Sequence, residues 1–86
     1  MISLKMAHVY MLRGQGGRYY IGATEDLGAR LARHNSGMVH STRRLGLPLE
    51  LVACREFPTM KEALAAERTF KGWKNPEKVR QHLLGG

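Results

Sequence analysis

The sequence predicts an α+β fold: a small three-stranded antiparallel β-sheet flanked by helices, in the order β-β-α-β-α-α. Three observations predict it. Two runs rich in β-formers, His8-Val9-Tyr10-Met11-Leu12-Arg13 and Arg18-Tyr19-Tyr20-Ile21-Gly22, flank a glycine-rich turn, the pattern of a β-hairpin. A third run of this kind, Leu49 to Phe57, stands well apart from the hairpin. The intervening and following segments carry apolar residues at helical spacing behind capping residues.

The hairpin turn is Gly14-Gln15-Gly16-Gly17, whose glycines supply the positive φ angles that tight turns require. A three-residue loop over Gly14-Gln15-Gly16 would pair Arg13 with Gly17 and set Tyr10 directly opposite Tyr20. Leu12 and Arg18 would share the tyrosine face, and Val9, Met11, Tyr19 and Ile21 the other. A two-residue loop would slip the register by one and part the tyrosines. The first helix opens at Thr24 as the expected N-cap, with Glu25 and Asp26 complementing the dipole. Leu27 and Leu31 form its apolar stripe, continuing toward His34, and Gly37 ends it. Arg30 and His34, four apart, project from one face.

Ser36 to Pro48 reads as a loop, and Pro58 closes the strand that follows. Thr59-Met60-Lys61-Glu62 is a capping box opening the second helix. Ala63, Ala66, Phe70 and Trp73 repeat along one face of it, with Met60 and Leu64 beside them. Asn75-Pro76 breaks this helix and starts the last one, Asn75 as cap and Pro76 at the first helical position, with Val79 and Leu83 as its apolar stripe. One domain over residues 1–86 is expected, with its core at about 8–73 and a C-terminal helix at about 76–84.

Composition narrows the function. The 86 residues hold 14 Lys and Arg against 7 Asp and Glu, a formal net charge of +7. That surplus points to an anionic partner, nucleic acid first and an acidic membrane surface second. The apolar runs fall short of the ~18–20 residues of a membrane span, and the stretch Met1–Met6 is too short and mixed for a signal peptide's core. Cys54 is the one cysteine, so no intramolecular disulfide forms and a cytoplasmic setting is expected. His8, His34, His40, His82 and Cys54 lack zinc-ligand spacing. Between Asp26 and Glu50 there is no acidic residue, while the stretch holds Arg30, Arg33, His34, His40, Arg43 and Arg44.

Several residues exceed what packing requires. Tyr10 and Tyr20 lie ten apart across the turn, and Glu67 sits among Leu64, Ala66 and Phe70, near the buried stripe, where a carboxylate needs a partner. These residues resemble those of the GIY-YIG nuclease superfamily, specifically its small stand-alone single-domain branch. Tyr20-Ile21-Gly22 is the second signature intact. His8-Val9-Tyr10 keeps only the tyrosine of the first, though Val9-Tyr10-Met11-Leu12 is similar to the strand of the small branch. Arg30, His34 and Glu67 match the family's helical arginine, its histidine one turn later and its metal-binding glutamate. The chain departs in carrying Arg13 where some relatives have lysine, and in offering only Asn75, a helix cap, for an asparagine that relatives often place after the glutamate.

The resemblance implies hydrolysis of DNA phosphodiester bonds with one divalent ion, Mg²⁺ or Mn²⁺, on Glu67. Arg30 would grip the phosphate, Tyr10 would orient and deprotonate the attacking water with help from cationic neighbours or His34, and Tyr20 would hydrogen-bond the phosphate or water. Gly22 would let backbone approach the site closely. Arg13, Arg33, His40, Arg43, Arg44, Lys71 and Lys74 are the expected nucleic-acid contacts. Repair or processing of DNA structures is the expected setting, and an accessory protein is expected to help choose the target. A catalytically inactive nucleic-acid-binding module, or a partner of RNA, fits the same charge.

Bland readings stand beside these. The tyrosines can simply stabilise the hairpin, Arg30 can pair with Asp26, and Glu67 can be an exposed partner of Lys71. His34 can be a cation at a helix C-terminus, and Trp73 and Cys54 can be core residues.

Overall fold

The computed structural model describes residues 5–85. The leader reading of residues 1–4 and the end at Gly86 lie outside the described residues. Strands β1 (Ala7–Arg13), β2 (Tyr19–Thr24) and β3 (Glu50–Phe57) form one antiparallel sheet in the order β2-β1-β3. The helices are α1 (Leu27–Asn35), α2 (His40–Arg43), α3 (Met60–Trp73) and α4 (Pro76–Leu83). The predicted order holds, with one helical turn, α2, added inside the segment expected to be a loop.

Alternation along β1 divides the interior into two layers. Val9 and Met11 face α3 and α4, joining Ala7, Ala53, Ala63, Phe70, Val79 and Leu83 in one core. Tyr10 and Leu12 face the other way, onto Leu27 and Leu31 of α1 together with Leu45, Leu49 and Leu51. Cys54 packs into this second layer as well. No helix among the described residues is long and apolar enough to cross a membrane.

The hairpin register differs from expectation by two residues. Tyr10 pairs with Gly22, Leu12 with Tyr20 and Arg13 with Tyr19. The turn is longer than three residues and is closed by Gly14 N–H donating to the Arg18 carbonyl at 2.9 Å. Its backbone also docks on a distant loop, Gln15 N–H donating to Gly46 O at 3.0 Å and Gly16 N–H to Leu45 O at 3.3 Å. A Cβ on Gly14 would overlap the Leu45 backbone. A shift of two preserves the side-chain face, so Tyr10 and Tyr20 still share one, as diagonal neighbours. In the β1–β3 ladder a bulge between Met11 and Leu12 leaves Val52 without an opposite residue.

The cap of α1 also differs. Asp26, not Thr24, is the N-cap, its carboxylate accepting from Ala29 N–H at 3.0 Å. Thr24 is buried at the end of β2, its hydroxyl oxygen accepting from Asp26 N–H at 3.1 Å. Gly37 follows the helix with φ +80, as a terminating glycine should. The caps of α3 and α4 are as expected, Thr59 Oγ1 accepting from Glu62 N–H and Asn75 Oδ1 from Lys78 N–H, both at 3.1 Å. Leu64 is not beside the buried stripe of α3; it is 45% exposed. Trp73 packs on the core edge-to-face with Phe70, ring centroids 5.1 Å apart.

The end of α1 is clamped to β3 by Asn35. Its Oδ1 accepts from Leu49 N–H at 2.6 Å and its Nδ2 donates to Leu49 O at 3.3 Å. One side chain thereby acts as a short partner strand and fixes where Arg30 and His34 stand over the sheet. Asn35→Ala is expected to lower stability by about 1–3 kcal/mol, because it leaves backbone groups at Leu49 unpaired. Urea unfolding measures it.

Candidate active site

Three elements of the second layer build a buried hydrogen-bonded chain. Tyr10 on β1 meets His34 on α1, Oη to Nε2, at 2.9 Å. His34 Nδ1 meets Thr42 Oγ1 on α2 at 2.8 Å. Tyr10 and His34 are each 1% exposed and Thr42 is 0% exposed. The ring of Tyr20 completes an aromatic cluster, its centroid 6.3 Å from Tyr10 and 5.2 Å from His34, edge-on to the latter.

Gly22 is the residue across from Tyr10, and the ring occupies the space a side chain there would need. A Cβ on Gly22 would collide with the hydroxyl end of the phenol. The lack of a side chain at Gly22 lets its backbone lie against the Tyr10 phenol. Gly22→Ala is expected to cost about 1–3 kcal/mol, as overpacking does, and to move Tyr10. Urea unfolding and the tyrosine ring resonances check both effects.

Two proton arrangements with a neutral imidazole satisfy the chain. In one, the Thr42 hydroxyl donates to the Val39 carbonyl at 3.3 Å, His34 Nδ1–H donates to Thr42, and Tyr10 donates to the bare Nε2. In the other, Thr42 donates to Nδ1 and Nε2–H donates to Tyr10. Burial, and then the charges of Arg30 and Arg33, hold His34 below the ordinary histidine value of 6.5. The bland reading of His34 as a dipole-stabilised cation is disfavoured by this burial and by the neighbouring arginine charges.

Burial and the neighbouring Tyr20 push the Tyr10 phenol well above its ordinary value of 10.0. The Arg30 guanidinium pulls the other way and the Glu67 carboxylate adds to the rise. Tyr10 is a neutral phenol at pH 7, suited to passing a proton rather than holding a charge. Arg30 is half-buried and, among the described residues, has no carboxylate within ion-pair distance, Asp26 included. Its donors are free for an anion.

Glu67 belongs to α3, on the far layer, but α3 packs most closely on the edge strand β2. Its side chain is 17% exposed and its Oε1 holds the Lys71 ammonium at 2.6 Å. Lys71 Nζ in turn lies 5.8 Å from the Tyr20 ring centroid. The pairing of the bland reading is present, but the carboxylate is sheltered. Glu67 offers one carboxylate ligand, and among the described residues no group of three or more His, Cys, Asp or Glu is placed to hold a metal ion. Such a site suits an ion that keeps most of its waters.

Arg33, His40, Arg43 and Arg44 are exposed around the end of α1 and α2, with Arg43 Nη2 3.3 Å from His40 Nδ1. Arg13 is exposed at the end of β1, on the side away from the Tyr10 face. Lys74 is exposed beyond α3. Sequence reasoning missed Thr42. A threonine in a polar loop carries no signal by itself, and its link to His34 arises only when α2 folds back onto α1.

Comparison with known proteins places this arrangement. Residues 6–81 match the GIY-YIG catalytic domain. A UPF0213 protein of Streptococcus pneumoniae is 43% identical over 72 residues, covering 84% of this chain and 73% of that protein. Another, from Cupriavidus pinatubonensis, is 33% identical over 72 residues, covering 84% and 80%. The solution NMR structure of a UPF0213 protein from Bacillus halodurans superposes with a TM-score of 0.56 at 32% identity, covering 94% of this chain and 86% of that one. The two-layered sheet, the paired tyrosines and the matched span together make this chain a member of the GIY-YIG family, in its small UPF0213 group.

Proposed function

We propose that this protein is an endonuclease-type phosphodiester hydrolase acting on DNA, in the processing or repair of DNA structures. The observation that carries the reading is the buried Tyr10–His34–Thr42 chain, with Arg30 and Glu67 bearing on the same phenol. In the productive arrangement Tyr10 donates to the lone pair of His34 Nε2. As the phenol oxygen accepts a proton from the attacking water, its own proton passes to Nε2, and Thr42 holds the imidazole in the tautomer that receives it. The phenol never has to persist as a charged phenolate, which its raised pKa would oppose.

Arg30 is the residue for the scissile phosphate, since its planar fork of donors matches phosphate oxygens. Tyr20 orients water or phosphate from the open side of the cluster. Glu67 is the residue that would hold a divalent ion, Mg²⁺ or Mn²⁺, in the position the Lys71 ammonium takes. When bound, that ion supplies Lewis-acid stabilisation of the phosphate and the departing 3′ oxygen. The exposed cations Arg33, His40, Arg43, Arg44, Lys71 and Lys74 track the neighbouring backbone, with Arg13 as an outlying contact. A cytoplasmic setting and a targeting partner complete the reading.

The test is nicking of supercoiled plasmid with Mg²⁺ or Mn²⁺ by wild type, Tyr10→Phe and Glu67→Ala. Metal-dependent nicking by wild type, lost in both variants, is the expected result. Nicking that both variants retain would sink the site. A second reading, a DNA-binding module without catalysis, is favoured by the Lys71 ammonium already seated on Glu67. Salt-dependent DNA binding with no nicking under either metal identifies it, and comparison with RNA duplexes at matched salt separates an RNA-binding protein.

A further inference from the structure

Beside the tyrosine cluster, between the edge strand β2 and the α3–α4 turn, lies an open cavity of about 390 Å³. Ile21, Phe70 and Val79 line it with apolar and aromatic surface, and Tyr19, Lys71 and Lys74 stand at its more exposed edge. No carboxylate lines it. Tyr20 belongs to both the cavity and the aromatic cluster around Tyr10 and His34, so an occupant would sit directly against the candidate active site.

We infer that this cavity receives an unpaired nucleobase of the DNA strand being cut, with Lys71 and Lys74 on its flanking phosphates. The inference rests on the nuclease reading and extends it to the substrate: DNA with a base out of the stack. Three features favour this occupant. The volume lies in the range of small-ligand sites, ~300–1,000 Å³. Tyr19 keeps 37% of its surface exposed at the mouth, where an aromatic ring can take a base face. The rim presents the ammonium of Lys74, and beside it that of Lys71, which Glu67 partly neutralises; both can meet phosphate.

Lys74 adds a backbone observation. It closes α3 with φ +51 and ψ +37, in the left-handed region, where glycine is the unstrained choice. Lysine stands there nonetheless and lines the cavity.

The test is binding without cleavage. Deoxyadenosine 5′-monophosphate is titrated into the full chain in EDTA and followed by amide resonances, with inorganic phosphate as the comparison. The nucleotide is expected to shift Tyr19, Ile21, Lys74 and Asn75, and phosphate alone is not. Tyr19→Ala is expected to weaken nucleotide binding roughly tenfold, the scale of one lost base stack. Lys74→Gly is expected to weaken binding while holding or raising the melting temperature. Undisturbed cavity amides, equal shifts from phosphate alone, or unweakened binding by a folded Tyr19→Ala each overturn the inference. Failure of plasmid nicking alongside these shifts would instead overturn the nuclease reading and leave the base site standing.

Discussion

His34→Ala is expected to lower the nicking rate by about 10²–10⁴-fold, the usual scale for loss of a general base, while Thr42→Val lowers it roughly tenfold. Valine matches threonine in shape, but it leaves His34 Nδ1 buried with no partner for its proton. That frees the imidazole to flip to the tautomer that donates at Nε2, which cannot accept from Tyr10. A merely structural Thr42 would change urea stability and leave the pH profile alone. The proposed role predicts a changed acid limb. Because burial and the Arg30 and Arg33 charges hold His34 below 6.5, wild type keeps the neutral base at pH 7 and loses rate as pH falls through the lowered value. Arg33→Gln removes one of those charges, so its acid limb moves to higher pH. Stability follows the same sign. Below pH 6.5 the unfolded chain takes up a proton that folded His34 resists. The stabilisation is full above 6.5 and declines as pH drops toward the folded value. A Thr42→Val profile that overlays wild type after correction for folding would remove Thr42 from the mechanism.

Features set by local chemistry could be read in the sequence, and features set by distant contacts could not. The caps at Thr59 and Asn75, the Val79–Leu83 stripe and the Arg30/His34 spacing are each decided within one or two helical turns. The hairpin register is not. Gly14, Gln15 and Gly16 dock on Leu45 and Gly46, about thirty residues later, and that docking selects a longer turn than the glycines alone require. The tyrosines share a face regardless, because the register moved by an even number. Thr24 and Asp26 are both capping residues, and burial of Thr24 at the strand end leaves Asp26 to cap. Leu64 followed the apolar pattern of its helix, yet α3 turns it to solvent to bring Ala63 and Phe70 onto the sheet. Within the site, Glu67 and Lys71 were readable as an i,i+4 pair. What no spacing disclosed is that α3 runs along edge strand β2, which brings this pair beside Tyr20. Thr42 illustrates the same limit, since its significance depends on a fold-back across eight residues.

Glu67→Gln is expected to bring metal-dependent nicking to background and to abolish Mn²⁺ binding measured by calorimetry in the absence of DNA. The glutamine keeps the size of the side chain and removes the charge, so a folded variant that loses metal binding isolates the carboxylate itself. Lys71→Met should act in the opposite direction. Its ammonium sits 2.6 Å from Glu67 Oε1, so it competes with an incoming cation for the same oxygen. Lys71 is half exposed, and i,i+4 pairs on helix surfaces contribute ~0.3–0.5 kcal/mol. The competition is therefore modest, and Lys71→Met should tighten Mn²⁺ binding by about twofold. Binding, not cleavage, is the readout for this variant, because Lys71 is also a proposed DNA contact. Weaker metal binding in Lys71→Met would mean that the lysine organises the carboxylate rather than competing for it. Unchanged binding in Glu67→Gln would move the metal away from α3 altogether. The expected pair of opposite shifts would identify Lys71 as a cation that occupies the Glu67 carboxylate until metal displaces it.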